Sequence, residues 1–327
     1  MEIFASTLNK MVYLFGFIII GYIIAKLKIV PKGSAGVLAK LENNLFIPAL
    51  VLQTFMTYFT RESLGVTWKL FAFGFIIDAV VIPLSLIASR FVAKDSYTRK
   101  ICIYGLCFSN FAFMGNAIVQ AIFPAETFYA YMVFTLTLWI PIYLWGVPDL
   151  LVADGNKKGL VARLKSLVNP MFIAMIIGMV LGLAKLPVPA ALQGVTGSLK
   201  GIIDASASCM SPVAMILTGF TIAEIDIKKT LKKPTVYSIS ILRLIVFPLI
   251  GIGIFALLPL LRINLPDDYV RCAVCSIAMP LGLNTIVIPA AYGKDTSVAS
   301  GMALVSHILS ILTIPLMFML LGMIVPV

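Results

Sequence analysis

The sequence predicts an all-α integral membrane protein whose ten transmembrane helices form two inverted five-helix repeats. Three observations predict this fold: the composition, the long apolar stretches, and a recurring order of polar and proline residues inside those stretches. Of the 327 residues, 61% are hydrophobic and 12% are charged, whereas soluble domains have roughly 45–50% and about 25%. A globule of this length could not bury that apolar excess, so the composition indicates a membrane protein.

Ten stretches are apolar and long enough to cross a bilayer, because about 20 helical residues span the hydrocarbon core. In chain order they are residues 11–27, 35–57, 70–92, 101–123, 128–147, 171–186, 203–222, 236–261, 270–292 and 298–325. The longest hydrophilic connection, residues 151–168, is predicted to be a cytoplasmic linker. It separates a first five-helix repeat, residues 1–150, from a second, residues 169–327.

Basic residues collect on alternate loops of this arrangement. Sixteen Lys and Arg residues lie in the odd-numbered loops, and seven lie at the N-terminus and in the even-numbered loops. The positive-inside rule therefore predicts that the odd-numbered loops are cytoplasmic and that both termini are extracytoplasmic. The net charge of +11 is then an orientation signal of a multi-pass protein in the cell membrane, and no nucleic-acid partner is expected.

Prolines and ionisable residues recur in the same order in the two halves, and the matching prolines are 164, 165 and 174 residues apart. The matching positions are Pro48 with Pro212, Asp78 and Pro83 with Arg243 and Pro248, and Pro141 with Pro315. Five spans are an odd number, so the second repeat enters the membrane from the opposite side. Inverted repeats are typical of secondary transporters, which bind substrate near the midplane at broken helices.

Spans four and nine are predicted to be these broken crossover helices. Polar residues and helix breakers in mid-membrane are costly unless they contact each other, water or a ligand. The predicted substrate-binding residues of the two crossovers are Ser109, Asn110, Gly115, Asn116, Pro280, Asn284 and Thr285. The alternative is a pair of proline-kinked helices joined by asparagine hydrogen bonds.

Ionisable residues inside the spans are functional candidates by default. Asp78 and His307 are predicted to carry the coupling ion, and Arg243 is predicted to bind a second carboxylate of the substrate. Asp78 and Arg243 occupy equivalent positions in the repeats, so a structural ion pair between them is the alternative. Glu42 and Lys40 lie near the cytoplasmic end of span two, where we expect them to snorkel.

The chain shows no pattern that indicates an enzyme or a cofactor. The five cysteines lie in apolar stretches, and no Cys/His set has the spacing of metal ligands. There is neither a Gly-rich phosphate loop nor a serine nucleophile elbow. We therefore expect no cofactor, no bound metal and no catalytic residue.

The crossover motifs Ser109-Asn-Phe-Ala-Phe-Met-Gly115 and Met279-Pro-Leu-Gly282 resemble those of the auxin efflux carrier family. That family includes plant hormone exporters and bacterial permeases for malonate, malate and related acids, and it resembles the bile acid:sodium symporters in fold. The resemblance implies a mobile transport domain of spans 3–5 and 8–10. It also implies a scaffold of spans 1, 2, 6 and 7 that forms a homodimer, with transport by an elevator movement.

Two departures from the plant members affect the expected substrate. Ser109 stands where the plant carriers have proline, and Ile82 stands where they have a lysine one turn after the acid that Asp78 resembles. Auxin is therefore not the expected substrate. We expect a secondary transporter of mono- or dicarboxylates, coupled to H⁺ or Na⁺. The alternatives are a sodium-coupled symporter of the bile acid type and a membrane sensor that has kept a transporter fold.

Overall fold

A computed structural model describes residues 2–152, 159–184, 193–225, 230–263 and 265–325. Within these ranges all regular secondary structure is helical, which confirms the predicted α-helical class. Seven helices are long and apolar enough to cross a membrane. They are α1 (Glu2–Lys26), α2 (Ser34–Tyr58), α3 (Leu64–Val92), α6 (Ala125–Val152), α9 (Gln193–Ala223), α10 (Pro234–Leu261) and α13 (Ser297–Leu321).

Shorter helices form the rest of the regular structure in the described ranges. They are α4 (Ser96–Cys107), α5 (Phe111–Ile122), α7 (Leu160–Lys165), α8 (Pro170–Ala184), α11 (Asp267–Ala278) and α12 (Asn284–Ala291). Predicted span four is divided into α4 and α5, and predicted span nine into α11 and α12. Residues 153–158 of the predicted linker, 185–186 of span six and 264 between spans eight and nine lie outside the described residues.

Charged side chains fix the loop ends of two of these short helices. Asp95 caps α4, where its carboxylate accepts a 2.8 Å hydrogen bond from the N–H of Thr98. That hydrogen bond lowers the pKa of Asp95, because it favours the charged carboxylate. Arg163 of α7 donates to both carboxylate oxygens of Asp149, at 2.7 and 2.8 Å, which holds α7 against the end of α6.

Prolines widen one turn of α2 and one turn of α10. Proline lacks an N–H, and its ring clashes with the carbonyl four residues earlier. In α2, the residue before Pro48 bonds five residues back, from Ile47 N–H to Glu42 O. In α10, Phe247 N–H bonds to Leu242 O, just before Pro248. Each proline therefore produces a π-turn.

Glycines bring two pairs of helices into backbone contact. A Cβ added at Gly21 of α1 would touch the carbonyl oxygen of Ile216 in α9. A Cβ added at Gly178 of α8 would lie 3.0 Å from the carbonyl oxygen of Leu52 in α2. Small residues are what allow membrane helices to approach this closely. α1 packs most extensively on α9, and α8 packs most extensively on α2.

The remaining helices form a second packed group that contains the divided spans. α3 packs on α4 and α6, and α10 packs on α11 and α13.

The structure buries Glu42 of α2, whose side chain is 0% exposed, whereas Lys40 is exposed. The expectation that Glu42 snorkels is therefore wrong, because its place in the π-turn of α2 points the carboxyl inward.

Candidate functional site

The two divided spans cross each other at their breaks. The segment between α4 and α5 and the segment between α11 and α12 run antiparallel, with Ser109 bridged to Leu281. The N–H of Asn110 donates to the carbonyl of Pro280 at 2.8 Å, and the Ser109 hydroxyl donates to Ser276 O at 2.9 Å. Backbone groups that the helix breaks leave unpaired thus bond across the crossing, as they must inside a membrane.

Arg243 joins the C-terminal ends of both half-helices that enter the crossing. Its guanidinium donates to Leu106 O at 2.7 Å, at the end of α4. It also donates to Ser276 O at 3.0 Å and Met279 O at 3.1 Å, at the end of α11. The side chain is 2% exposed. Helix C-termini carry partial negative charge, so one cation balances two helix ends.

Asp78 lies in α3 beside Thr137 of α6 and is 5% exposed. Its Oδ2 has no hydrogen-bond partner among the described residues. Among the described residues no ion pair involves Asp78, and the three guanidinium nitrogens of Arg243 bond backbone carbonyls. Asp78 is therefore a buried acid with no cation partner in the part of the chain that the structure describes.

His307 of α13 contacts the crossing directly. Its Nε2 lies 3.0 Å from Nδ2 of Asn110, and its Nδ1 lies 2.7 Å from Ala303 O. Ser306, one residue earlier, accepts a 3.2 Å hydrogen bond from the N–H of Leu281. α13 thus bonds both segments of the crossing, one through His307 and the other through Ser306.

A cavity of about 10 Å³, which has room for at most one water molecule, lies at the crossing itself. Of the predicted binding residues, Ser109, Asn110 and Asn284 line it, together with the first residues of α5. Tyr104 also lines it, and its buried hydroxyl lies beside the side chain of Asn284. Tyr104 was not among the predicted site residues, since a tyrosine in a membrane helix is ordinary.

The other predicted residues are buried near the crossing but do not line that cavity; they are Gly115, Asn116, Pro280, Thr285, Arg243, Asp78 and His307. Gly115 lets α5 approach Tyr131, whose hydroxyl a Cβ there would touch. The Thr285 hydroxyl donates to Gly282 O at 2.7 Å.

A second cavity, of about 250 Å³, shares Asn284, Trp139 and Ile142 with the first. Its further polar lining comes from the side chains of Asn43, Asn44, Tyr143 and Asn169. The rings of Trp139 and Tyr143 are stacked, with centroids 5.7 Å apart. These four residues were not among the predicted site residues. The pair Asn43-Asn44 in an apolar span and Asn169 before Pro170 are the patterns that could have indicated them.

Comparison with known proteins places this site in a family. A family model described as "Membrane transport protein" matches residues 6–152 and 149–318, which is nearly the whole chain. No curated protein matches the sequence. The chain therefore belongs to this membrane transport family, the auxin efflux carrier family, whose members are transport proteins.

Proposed function

We propose that the chain is a secondary active transporter that moves small organic anions across the cell membrane by an elevator-type mechanism. The observation that carries this proposal is the crossing of two interrupted helices beside a cavity that asparagine and aromatic side chains line. In transporters, such interruptions supply backbone groups and half-helix ends that bind substrate at mid-membrane depth. Membership of a membrane transport family supports the same function.

Matching contacts in the two halves support the inverted ten-helix repeat. Gly21 and Gly178 are 157 residues apart, and they occupy the repeated Ile-Ile-Gly motif of spans one and six. Their partners, Ile216 and Leu52, are 164 residues apart, which is the offset of Pro48 and Pro212. A twofold pseudosymmetry axis would exchange these two contacts. The bridge from Ser109 to Leu281 gives an offset of 172, between those of the flanking spans.

The helix packing supports a division into scaffold and transport domains. α1 with α9 and α2 with α8 form the proposed scaffold, in which glycines bring the helix backbones together. The proposed transport domain contains α3–α6 and α10–α13, which include the crossing and the buried charges. A homodimer through the scaffold remains part of the proposal, on the family resemblance.

The proposed site recognises an anion without a positively charged side chain. The two cavities at the crossing are lined by asparagine amides, hydroxyls and aromatic rings. A carboxylate bound in the larger cavity is stabilised by the amide donors of the asparagine side chains that line it. Arg243 bonds the C-terminal ends of α4 and α11. We therefore propose that it fixes the shape of the site and is not one of the groups that donate to the substrate.

We further propose that the structure represents the inward-facing state. The larger cavity is bounded by Asn43 and Asn44, Val147, and Asn169 and Pro170. These residues adjoin the first and fifth loops, which the positive-inside rule assigns to the cytoplasm. An open path from Asn284 to that face would release substrate into the cell, or accept it there.

Asp78 and His307 are the proposed coupling residues, with H⁺ as the coupling ion. A buried carboxyl that lacks a cation partner is stable when protonated, so Asp78 can carry a proton through the membrane. In proteoliposomes, we expect uptake of the acid that binds best to be driven by an inward proton gradient. Asp78→Asn should bind the acid and lose the response to that gradient.

The first experiment is a thermal-stability screen of the purified protein against mono- and dicarboxylates, with and without sodium. Saturable stabilisation by one class of acid is the expected result. Stabilisation that requires sodium would favour the sodium-coupled symporter instead. Stabilisation without any flux in proteoliposomes would favour a sensor, and the absence of both binding and flux for the whole panel would contradict the proposed substrate class.

A further inference from the structure

A large basic cavity lies where α1 and α9 end, apart from the crossing. Its volume is about 670 Å³, and it is lined by the end of α1, the loop that follows, the first residue of α2 and the end of α9. Three of the described lining residues, Lys26, Lys28 and Lys32, are exposed lysines. The cavity adjoins the first and seventh loops, which the positive-inside rule assigns to the cytoplasm.

The described lining of this cavity has an excess of positive charge. Its one carboxylate is Glu224, directly after α9, which accepts a 2.8 Å hydrogen bond from the N–H of Gly33. This bond joins the first loop to the end of α9. Among the described residues, no carboxylate lies within ion-pair distance of the three lysines. A bound anion would therefore balance charges that the described lining leaves unpaired.

The backbone of Lys28 supports a role for its side chain. Its φ is 56°, in the left-handed region that glycine usually occupies just after a helix. The N–H groups of Lys28 and Ile29 bond Ala25 O at 3.1 Å and Ile24 O at 3.2 Å, which closes α1 in a Schellman motif. Any side chain in this conformation costs free energy that glycine would not. Binding of a ligand by the ammonium group would explain a lysine at such a position.

The surface beside the cavity indicates that the anion belongs to a lipid. Leu27 and Ile29 alternate with the lysines, and their side chains are 68% and 66% exposed. Ile20 and Ile23 are also exposed and continue this apolar surface along α1. Lysines at the end of a membrane helix reach the level of the lipid headgroups. Basic pockets between membrane helices on the cytoplasmic side suit anionic headgroups.

We infer that this cavity binds the phosphate headgroup of an anionic phospholipid of the cytoplasmic leaflet. Lys26, Lys28 and Lys32 are its charged ligands, and the acyl chains lie along the exposed apolar side chains of α1. The bound headgroup joins the first loop to the end of α9, as the bond from Gly33 to Glu224 does. It thereby stabilises the packing of α1 on α9.

The test measures lipid affinity by the melting temperature of the full-length purified protein in an uncharged detergent. Phosphatidylglycerol, phosphatidylcholine and inorganic phosphate are titrated separately. We expect saturable stabilisation by phosphatidylglycerol only. A lysine beside an anionic headgroup contributes about fivefold in affinity, so Lys28→Gln and Lys32→Gln should each weaken phosphatidylglycerol binding about fivefold. The matched control is Lys94→Gln, in the third loop, which is also assigned to the cytoplasm; its affinity should stay within about twofold of the wild type.

Lys28→Gly separates ligand binding from a structural role. Glycine adopts a positive φ without strain, so the melting temperature in the absence of lipid should rise. The affinity for phosphatidylglycerol should nevertheless fall about fivefold, because the ammonium group is lost. A lysine with only a structural role would not give these opposite effects.

Three results would overturn the inference. Phosphatidylcholine could stabilise the protein as strongly as phosphatidylglycerol, or the variants at Lys28 and Lys32 could bind phosphatidylglycerol as tightly as Lys94→Gln does. Stabilisation by inorganic phosphate at the same concentrations would identify a site for a soluble anion instead of a lipid. All three leave the proposed transport function standing, because the test measures neither flux nor carboxylate binding.

Discussion

Arg243 shows how one residue can hold a broken pair of helices together. Burying a guanidinium is costly, and no carboxylate among the described residues compensates it. Three charge-assisted hydrogen bonds to carbonyls at the ends of α4 and α11 replace the missing anion. Because those carbonyls belong to two separate half-helices, the side chain fixes the geometry of the crossing without contacting the cavity.

This role predicts a graded loss of stability at position 243. Hydrogen bonds to charged groups contribute about 1.5–3 kcal/mol each, so Arg243→Gln, which can satisfy fewer of the three carbonyls, should lower the free energy of unfolding by about 3 kcal/mol. Arg243→Lys keeps the charge, so its free energy of unfolding should lie between those of the wild type and Arg243→Gln. Thermal or denaturant unfolding in detergent measures the difference. A stable Arg243→Gln variant that only loses dicarboxylate binding would instead identify Arg243 as a substrate ligand.

Some of these residues can be predicted from the sequence and others cannot, for a physical reason. Asn110 and Asn284 could be predicted because an amide in mid-membrane costs free energy and therefore indicates a functional role. Tyr104 could not, since tyrosine is tolerated in apolar helices and only the fold places its hydroxyl beside Asn284. The hydrogen-bond partners of Arg243 could not be predicted either. The charge pattern suggests Asp78 as its partner, whereas backbone carbonyls are present at every residue and give no sequence signal.

Among the elements, the glycine contacts determine how α1 meets α9. At Gly21 any Cβ would press on the backbone of Ile216, including its Cα at 3.0 Å. Backbone atoms cannot move aside as a flexible side chain can. The close approach of the two helices therefore depends on the absence of a side chain at this position.

We predict that Gly21→Ala destabilises the protein by about 1–3 kcal/mol, the usual cost of overpacking. Gly16→Ala is the control in the same helix, because nothing lies within 4 Å of a Cβ at that position. It should be neutral or slightly stabilising, since alanine favours helix more than glycine does. Equal melting temperatures for the two variants would show that α1 and α9 are not packed this closely.

The helices themselves were largely predictable, because hydropathy reports length and burial in lipid directly. The helix breaks in spans four and nine were less predictable. Pro280 indicates the second break, since it cannot donate to a helix. The first break, through Ser109 and Asn110, contains no proline, and it is supported by bonds to the second break. Only its polar residues in mid-membrane indicate the first break in the sequence, because the bonds to the second break that support it are tertiary contacts.

At the scale of the whole molecule, the contacts of the two halves are unequal. α1 packs on α13 and α5, which would belong to the transport domain. By the proposed symmetry, α8 should pack in the same way on α6 and α12. Instead the 250 Å³ cavity lies between α8 and those helices. Unequal contacts between equivalent elements are what alternating access requires, because the opposite state exchanges them.

This inequality predicts which side of the membrane reaches the site. Val287 of α12 lines the larger cavity. In a Cys209→Ser background, which removes the exposed native cysteine, Val287→Cys should react with a membrane-impermeant thiol reagent from the cytoplasmic side. Bound substrate should slow the reaction, because it occupies the path to Asn284.

The control for this labelling is Ile250→Cys, on the outer surface of α10, where the side chain is exposed but would face lipid. A charged reagent should reach it from neither side. Labelling of Val287→Cys that is faster from outside would contradict the inward-facing assignment or the orientation of the chain. Tags at the two termini separate these cases: termini outside, with the cavity also open to the outside, would mean that the structure represents the outward-facing state.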